Sequence, residues 1–67
     1  MSILRAGSSG PDVTNLQQSL KNIGFDPNGL DGHFGPGTKN AVIAFQKNKN
    51  LGTDGVVGPG TWAALWA

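Results

Sequence analysis

Residues with titratable or metal-binding side chains are scarce in this chain, and the most suggestive are Asp31, His33 and Asp54. The 67 residues contain one His, four Asp, and neither Cys nor Glu. A zinc site takes at least three protein ligands, so Asp54 would have to join Asp31 and His33 from a distant part of the sequence. Acid, base or nucleophilic catalysis needs positioned partner groups, and this inventory offers no such set. We predict no catalytic residue, no metal site and no cofactor.

Calcium binding has one partial match in the sequence. Asp26 and Asn28 are spaced like the first ligands of an EF-hand loop. The match then fails, because Leu30 stands where an oxygen ligand is needed and Gly37 replaces the bidentate glutamate. This segment is predicted to be a turn.

The chain carries little charge. Charged residues make up 13% of the sequence, and the formal net charge is +1. Lys39, Lys47 and Lys49 point in different directions around a helix, so they form no basic stripe for a nucleic acid backbone. No apolar run approaches the roughly 18 residues that span a bilayer. We predict that neither nucleic acid nor a membrane is a partner.

The suggestive residues belong to an internal repeat. Residues 31–38 read DGHFGPGT and residues 54–61 read DGVVGPGT. In each copy Asp-Gly favours a tight turn, and Gly-Pro favours a helix start because proline fits the first helical position, where no N–H is needed. A third Gly-Pro pair, Gly10-Pro11, precedes another apolar periodic stretch. Three helix starts are therefore predicted.

Apolar spacing sets the length of each helix. Val13, Leu16 and Leu20 form one stripe after Pro11, and Gly24 is expected to stop that helix. The predicted helices cover residues 11–23, 36–49 and 59–66. We expect residues 1–67 to form a single all-α domain, a three-helix bundle with structured Asp-Gly and Gly-Pro loops.

The polar residues of the repeat have a structural and a functional interpretation. In the structural one, which the residue types favour, Asp31 and Asp54 accept local backbone N–H groups and fix the turns, while Thr38 and Thr61 bond within the same loops. In the functional one, the two loops are the walls of a groove that offers carboxylates, hydroxyls and backbone groups to a ligand. The two interpretations are compatible.

Aromatic and amide side chains add further candidates. Trp62 is assigned to the core, whereas Trp66, at a helix end, could be half exposed and offer an aromatic face to a ligand. Phe34 is ambiguous, with the core slightly favoured, and the amides of Gln17 and Gln46 are expected to bind loop backbone. The candidate ligand-binding residues are Asp31, His33, Phe34, Thr38, Asp54, Val57, Thr61 and Trp66.

The chain as a whole resembles the peptidoglycan-binding-like domain family. The match covers nearly all of the sequence and depends on the duplicated DGxxGPGT motif, the Phe45-Gln46 pair and Trp62. The resemblance implies a three-helix module that accompanies amidases, muramidases, lytic transglycosylases, cortex-lytic enzymes, metallopeptidases or transpeptidases of the bacterial cell wall. Its implied role is attachment, with cleavage left to the linked enzyme.

Two hypotheses of function follow. In the first, a monomeric module binds the glycan strand or stem peptide of peptidoglycan in a shallow groove beside the two loops, and so holds a tethered catalytic domain at the wall, outside the cell. In the second, the domain is a protein–protein interaction or spacer element that docks on its catalytic neighbour. The second is motivated by Trp66 and by Ile43, which is expected to be exposed.

Overall fold

Three helices form the domain, in a computed structural model that describes residues 3–66. They are α1 (Pro11–Asn22), α2 (Pro36–Asn48) and α3 (Pro59–Leu65). All three begin at the predicted prolines, and each ends one residue earlier than predicted because the next residue is the C-cap. The all-α, three-helix fold is confirmed, and the part of the chain described here has isolated β-bridges but no strand. None of its helices is long and apolar enough to cross a bilayer.

Backbone conformation, and not side-chain capping, defines the helix starts. Each helix has glycine at the N-cap and proline in its first turn, with no side-chain hydrogen bond to the cap. Gly10 has φ of 123°, a region that other residues avoid because their Cβ would clash. A side chain at this position would therefore strain the entry to α1.

The ends of α1 and α2 share one hydrogen-bonding pattern. After α1, Gly24 adopts φ of 94° and the N–H of Phe25 donates to the Leu20 carbonyl at 2.8 Å. After α2, Asn50 takes the same role with φ of 59°, and the Leu51 N–H donates to a carbonyl in the last turn at 2.8 Å. This is the Schellman termination, in which a left-handed residue turns the chain back across the helix end. The stop at Gly24 was predicted, whereas the role of Asn50 was not.

The core is assembled from all three helices, from the connections between them and from Leu4 of the N-terminal segment. Edge-to-face packing joins Phe25 to Phe45, with ring centroids 5.8 Å apart. The buried apolar residues are Leu4, Val13, Leu16, Leu20, Phe34, Ala41, Val42, Phe45, Val57 and Trp62. Trp62 is thus in the core, as predicted.

The N-terminal segment, residues 4–10, contains a turn at residues 6–7 and ties the two copies of the repeat together. Leu4 and Val57 exchange backbone hydrogen bonds at 3.0 and 2.7 Å. Further along the same segment, the Phe34 N–H donates to the Ser8 carbonyl at 2.8 Å and the Gly10 N–H donates to a carbonyl of the first copy at 3.0 Å. Because one short segment binds both copies, it fixes their relative positions.

Candidate ligand-binding loops

The first loop (residues 31–35) and the second loop (residues 54–58) are held by the same network around a buried glutamine. Gln17 Nε2 lies 3.1 Å from Asp31 Oδ1, 3.1 Å from the His33 carbonyl oxygen and 3.0 Å from Thr38 Oγ1. Its Oε1 accepts the Gly32 N–H at 3.0 Å. One amide thereby joins α1, the first loop and the start of α2.

Gln46 repeats this arrangement at the second loop. Its Nε2 lies 3.1 Å from Asp54 Oδ1, 2.9 Å from the Val56 carbonyl oxygen and 3.2 Å from Thr61 Oγ1, and its Oε1 accepts the Gly55 N–H at 3.1 Å. The prediction that both glutamine amides bind loop backbone is therefore confirmed.

The amides and hydroxyls of these networks are buried and already hydrogen-bonded within the domain. Gln17 and Gln46 each expose 1% of their surface, and Thr38 and Thr61 are also buried. No buried polar side-chain atom among residues 3–66 lacks a hydrogen-bond partner. The two threonines, predicted both as loop-fixing residues and as ligand contacts, hold the loops in place, and their side chains are not presented to solvent.

Asp31 and Asp54 are exposed, and each uses carboxylate Oδ1 to fix its own turn. Asp31 Oδ1 accepts the His33 N–H at 3.0 Å, and Asp54 Oδ1 accepts the Val56 N–H at 3.0 Å. The His33 N–H, followed by the Gln17 amide, holds the pKa of the Asp31 carboxyl below its ordinary value. The Val56 N–H and then the Gln46 amide lower the pKa of Asp54 in the same way. The carboxylates fix the turns, as the structural interpretation predicted.

These lowered pKa values predict a loss of stability in acid. A carboxyl with a depressed pKa in the folded state stabilises the fold above its unfolded pKa, and that contribution is lost as the pH falls through the folded value. We expect the free energy of unfolding to decline as the pH drops below about 3.8, the ordinary aspartate value. In urea titrations at several pH values, an Asp31→Asn, Asp54→Asn double variant should show a shallower decline. An equally steep decline would mean that other carboxyls cause it.

The remaining predicted contacts divide into buried and exposed residues. Phe34 and Val57 expose 3% and 0% of their surface and belong to the core, where apolar burial is favourable. The core placement slightly favoured for Phe34 is therefore confirmed, and a ligand contact at these two positions stays a prediction. His33 is exposed beside Asp31. Trp66 is 60% exposed at the end of α3, and its ring lies 5.2 Å from that of Trp62.

The two loops border separate surface depressions, two at the first loop and one at the second. A shallow depression of about 560 Å³ lies between the first loop and the start of α1, lined in part by Thr14, Asn15 and His33. A second one, of about 130 Å³, lies on the other side of the first loop, and a third, of about 240 Å³, borders the second loop. None of these three depressions is lined by both loops or by Trp66. The structure therefore does not bring the predicted residues into one shared groove.

Two apolar features were not anticipated from the sequence. A fourth depression, of about 190 Å³, lies at the C-terminal ends of the helices, lined by residues that include Ile23, Phe25 and Leu65. Ile43, predicted to be exposed, is half-buried, because it lies with Lys39 against Gly55 of the second loop. A Cβ at position 55 would lie 3.2 Å from Lys39 Cε and 3.6 Å from Ile43 Cδ1.

Metal binding finds no support in the geometry of the titratable groups. Within the described range, no three His, Cys, Asp or Glu side chains are grouped closely enough to hold one ion. The exposed groups of the loops can accept and donate hydrogen bonds, which suits recognition of a polar ligand.

Comparison with known proteins identifies relatives of the chain. A family model described as a putative peptidoglycan binding domain matches residues 9–65. The chain is 42% identical over 57 residues to the N-acetylmuramoyl-L-alanine amidase CwlM of Mycobacterium tuberculosis, covering 85% of this chain and 14% of the amidase. It is 42% identical over 59 residues to a spore cortex-lytic enzyme of Bacillus cereus, covering 88% of this chain and 23% of that enzyme.

Solved structures give the same result. The crystal structure of the Burkholderia AP3 phage endolysin superposes with a TM-score of 0.94 at 41% identity, covering 98% of this chain and 25% of the endolysin. The chain thus spans at most 25% of the length of each of these three proteins.

Proposed function

Because the chain belongs to the family of putative peptidoglycan-binding domains, we propose that it binds peptidoglycan without cleaving it and holds a linked wall-active enzyme at its substrate. The observation that carries this proposal is the family match over residues 9–65, on a domain whose two loops expose polar groups at shallow depressions. Each relative described above extends well beyond the part that this chain matches. The place of action is the bacterial wall, and the tethered partner is a catalytic domain.

Weak binding is sufficient for this role. Peptidoglycan repeats the same unit many times, and a tether converts each later encounter of the linked enzyme with the wall into an intramolecular event. Open, shallow depressions with a few exposed polar groups suit such weak, repeated contacts. The exposed groups proposed to face the glycan strand or stem peptide are Asp31, His33, Asp54 and Trp66.

A sedimentation assay with purified sacculi, freed of teichoic acids, tests this function. We expect the 67-residue chain to sediment with the sacculi and to leave the turbidity of the suspension unchanged. With a formal net charge of +1, binding should depend little on salt concentration. A chain that stays in the supernatant would refute binding, and a fall in turbidity would contradict the non-catalytic role.

Docking on a catalytic neighbour is a second candidate, favoured by the apolar surface at the helix ends. Trp66 and Ile23 expose 60% and 44% of their surface, and Ile23 lines the fourth depression. Deletion of the module from its parent enzyme distinguishes the two. Unchanged sedimentation of the parent, together with a lower melting temperature, would favour docking over wall attachment.

A further inference from the structure

The depressions on the two loops that flank Thr38 and Thr61 are equivalent in the internal repeat. Both are lined by a loop aspartate, by the glycine and proline that begin a helix, and by the next two residues. In the first repeat these are Asp31, Gly35, Pro36, Gly37 and Thr38, and in the second they are Asp54, Gly58, Pro59, Gly60 and Thr61. The two surfaces are therefore copies of one cradle, which can be compared position by position.

The copies differ in what covers the glycine at their centre. A Cβ at position 37 would lie 2.6 Å from the Pro27 carbonyl oxygen and 2.9 Å from Asn28 Cβ, so the Pro27 backbone and the Asn28 side chain lie directly against Gly37. A Cβ at position 60 would meet no atom of the surrounding structure within 4 Å. The cradle of the first repeat is covered by the chain's own backbone, whereas the equivalent place in the second repeat is open.

Sequence spacing explains this difference. Gln17 and Asp31 are 14 residues apart, whereas Gln46 and Asp54 are 8 apart. The extra length in the first repeat contains the turn in which the Asn28 N–H donates to Asp26 Oδ1 at 2.8 Å. In the second repeat, the shorter connection contributes only Leu51 and Gly52 to the lining of the depression. The depression of the second repeat is larger than that of the first, at about 240 Å³ against 130 Å³.

We infer that the cradle of the second repeat binds a peptide, which takes the place that residues 27–28 fill in the first repeat. This inference rests on the proposed function and deepens it, since it assigns the stem peptide, and not the glycan strand, to this surface. The support is the chain's own geometry: the Pro27 carbonyl and the Asn28 Cβ already pack against Gly37, and the equivalent place beside Gly60 has no atom within 4 Å of where a Cβ would stand.

Hydrogen-bonding groups at the cradle suit a peptide backbone. The Val56 N–H and the Gln46 amide both bind Asp54 Oδ1, and the residue is exposed. The other carboxylate oxygen, Oδ2, can accept a peptide N–H. Half-buried Leu51 adds apolar surface for a small side chain such as alanine. Recognition here depends on shape and on this carboxylate, and no backbone N–H of α3 is required.

A side chain at position 60 should block the cradle while leaving the fold intact. Gly60 is exposed, in ordinary helical conformation, with open space beside it, so Gly60→Leu is sterically tolerated. Ala63→Leu is the matched control, because Ala63 is an exposed residue of the same helix that does not line the depression. Both variants should unfold at urea concentrations close to that of the parent chain.

Amidase digestion of sacculi provides both probes from one material, as free stem peptides and peptide-free glycan strands. We expect stem peptides to shift the amide resonances of Gly52, Asp54 and Gly60, and Gly60→Leu to weaken that binding about tenfold or more, with Ala63→Leu unchanged. The inference would be overturned if only glycan strands shifted these resonances, or if Gly60→Leu bound stem peptides as tightly as the parent chain does. In either case the parent chain would still sediment with sacculi. Failure of the parent chain to sediment would instead remove the proposed function.

Discussion

Replacing Gln17 with leucine is expected to lower the free energy of unfolding by about 3 kcal/mol, because it leaves buried polar groups without partners. The Gly32 N–H loses its acceptor, and Thr38 Oγ1 and the His33 carbonyl oxygen lose a donor. A domain of 67 residues has a total of roughly 3–10 kcal/mol. The loss is therefore a large share of the stability, and urea unfolding followed by circular dichroism measures it.

Gln18 provides the control for this substitution. It is the next residue of α1, is exposed, and its Nε2 donates to Asn22 Oδ1 at 2.9 Å. Gln18→Leu should change the free energy of unfolding by about 0.5 kcal/mol or less, as exposed substitutions usually do. Similar losses in the two leucine variants would show that the buried network contributes little.

Alanine substitutions at the paired glycines 37 and 60 are expected to have opposite effects. Gly37→Ala should lower the free energy of unfolding by about 2 kcal/mol, because its methyl group would lie 2.6 Å from the Pro27 carbonyl oxygen and force the backbone apart. Gly60→Ala should raise it by about 0.4–1 kcal/mol, since alanine restricts the unfolded chain and meets no obstacle in the helix. Thermal and urea unfolding of the two variants give both values.

The opposite signs make this pair a direct test of the asymmetry between the repeats. Both glycines occupy the second position of a helix and both follow proline, so helix propensity alone predicts the same gain for each. A gain at both positions would mean that residues 27–28 do not press on Gly37. That result would also weaken the comparison of the two cradles.

Local signals in the sequence predicted the helices well. Pro11, Pro36 and Pro59 begin them as expected, because proline fixes its own φ and needs no hydrogen-bond partner at that position. Gly24 ends α1 for an equally local reason. Asn50 was missed as a terminating residue, since asparagine adopts the left-handed conformation less often than glycine and gives a weaker signal.

Site residues were harder to predict than helices. The turn-fixing roles of Asp31 and Asp54 involve neighbours two residues away, so the Asp-Gly pairs were sufficient to predict them. Phe34 and Val57 were proposed as ligand contacts, yet their side chains are buried. The N-terminal segment hydrogen-bonds to both repeats although it is distant from them in sequence. The burial of Phe34 and Val57 depends on this long-range pairing, which local sequence signals do not reveal.

By itself, the sequence determined where the helices begin, how the two Asp-Gly turns are fixed, and which family the domain resembles, because these depend on backbone preferences and on a motif written in consecutive residues. The tertiary structure decided which side chains remain accessible and which of the two cradles is open. Those properties depend on contacts between residues distant in sequence, such as Leu4 with Val57 and Pro27 with Gly37, whose geometry is set only when the whole chain packs.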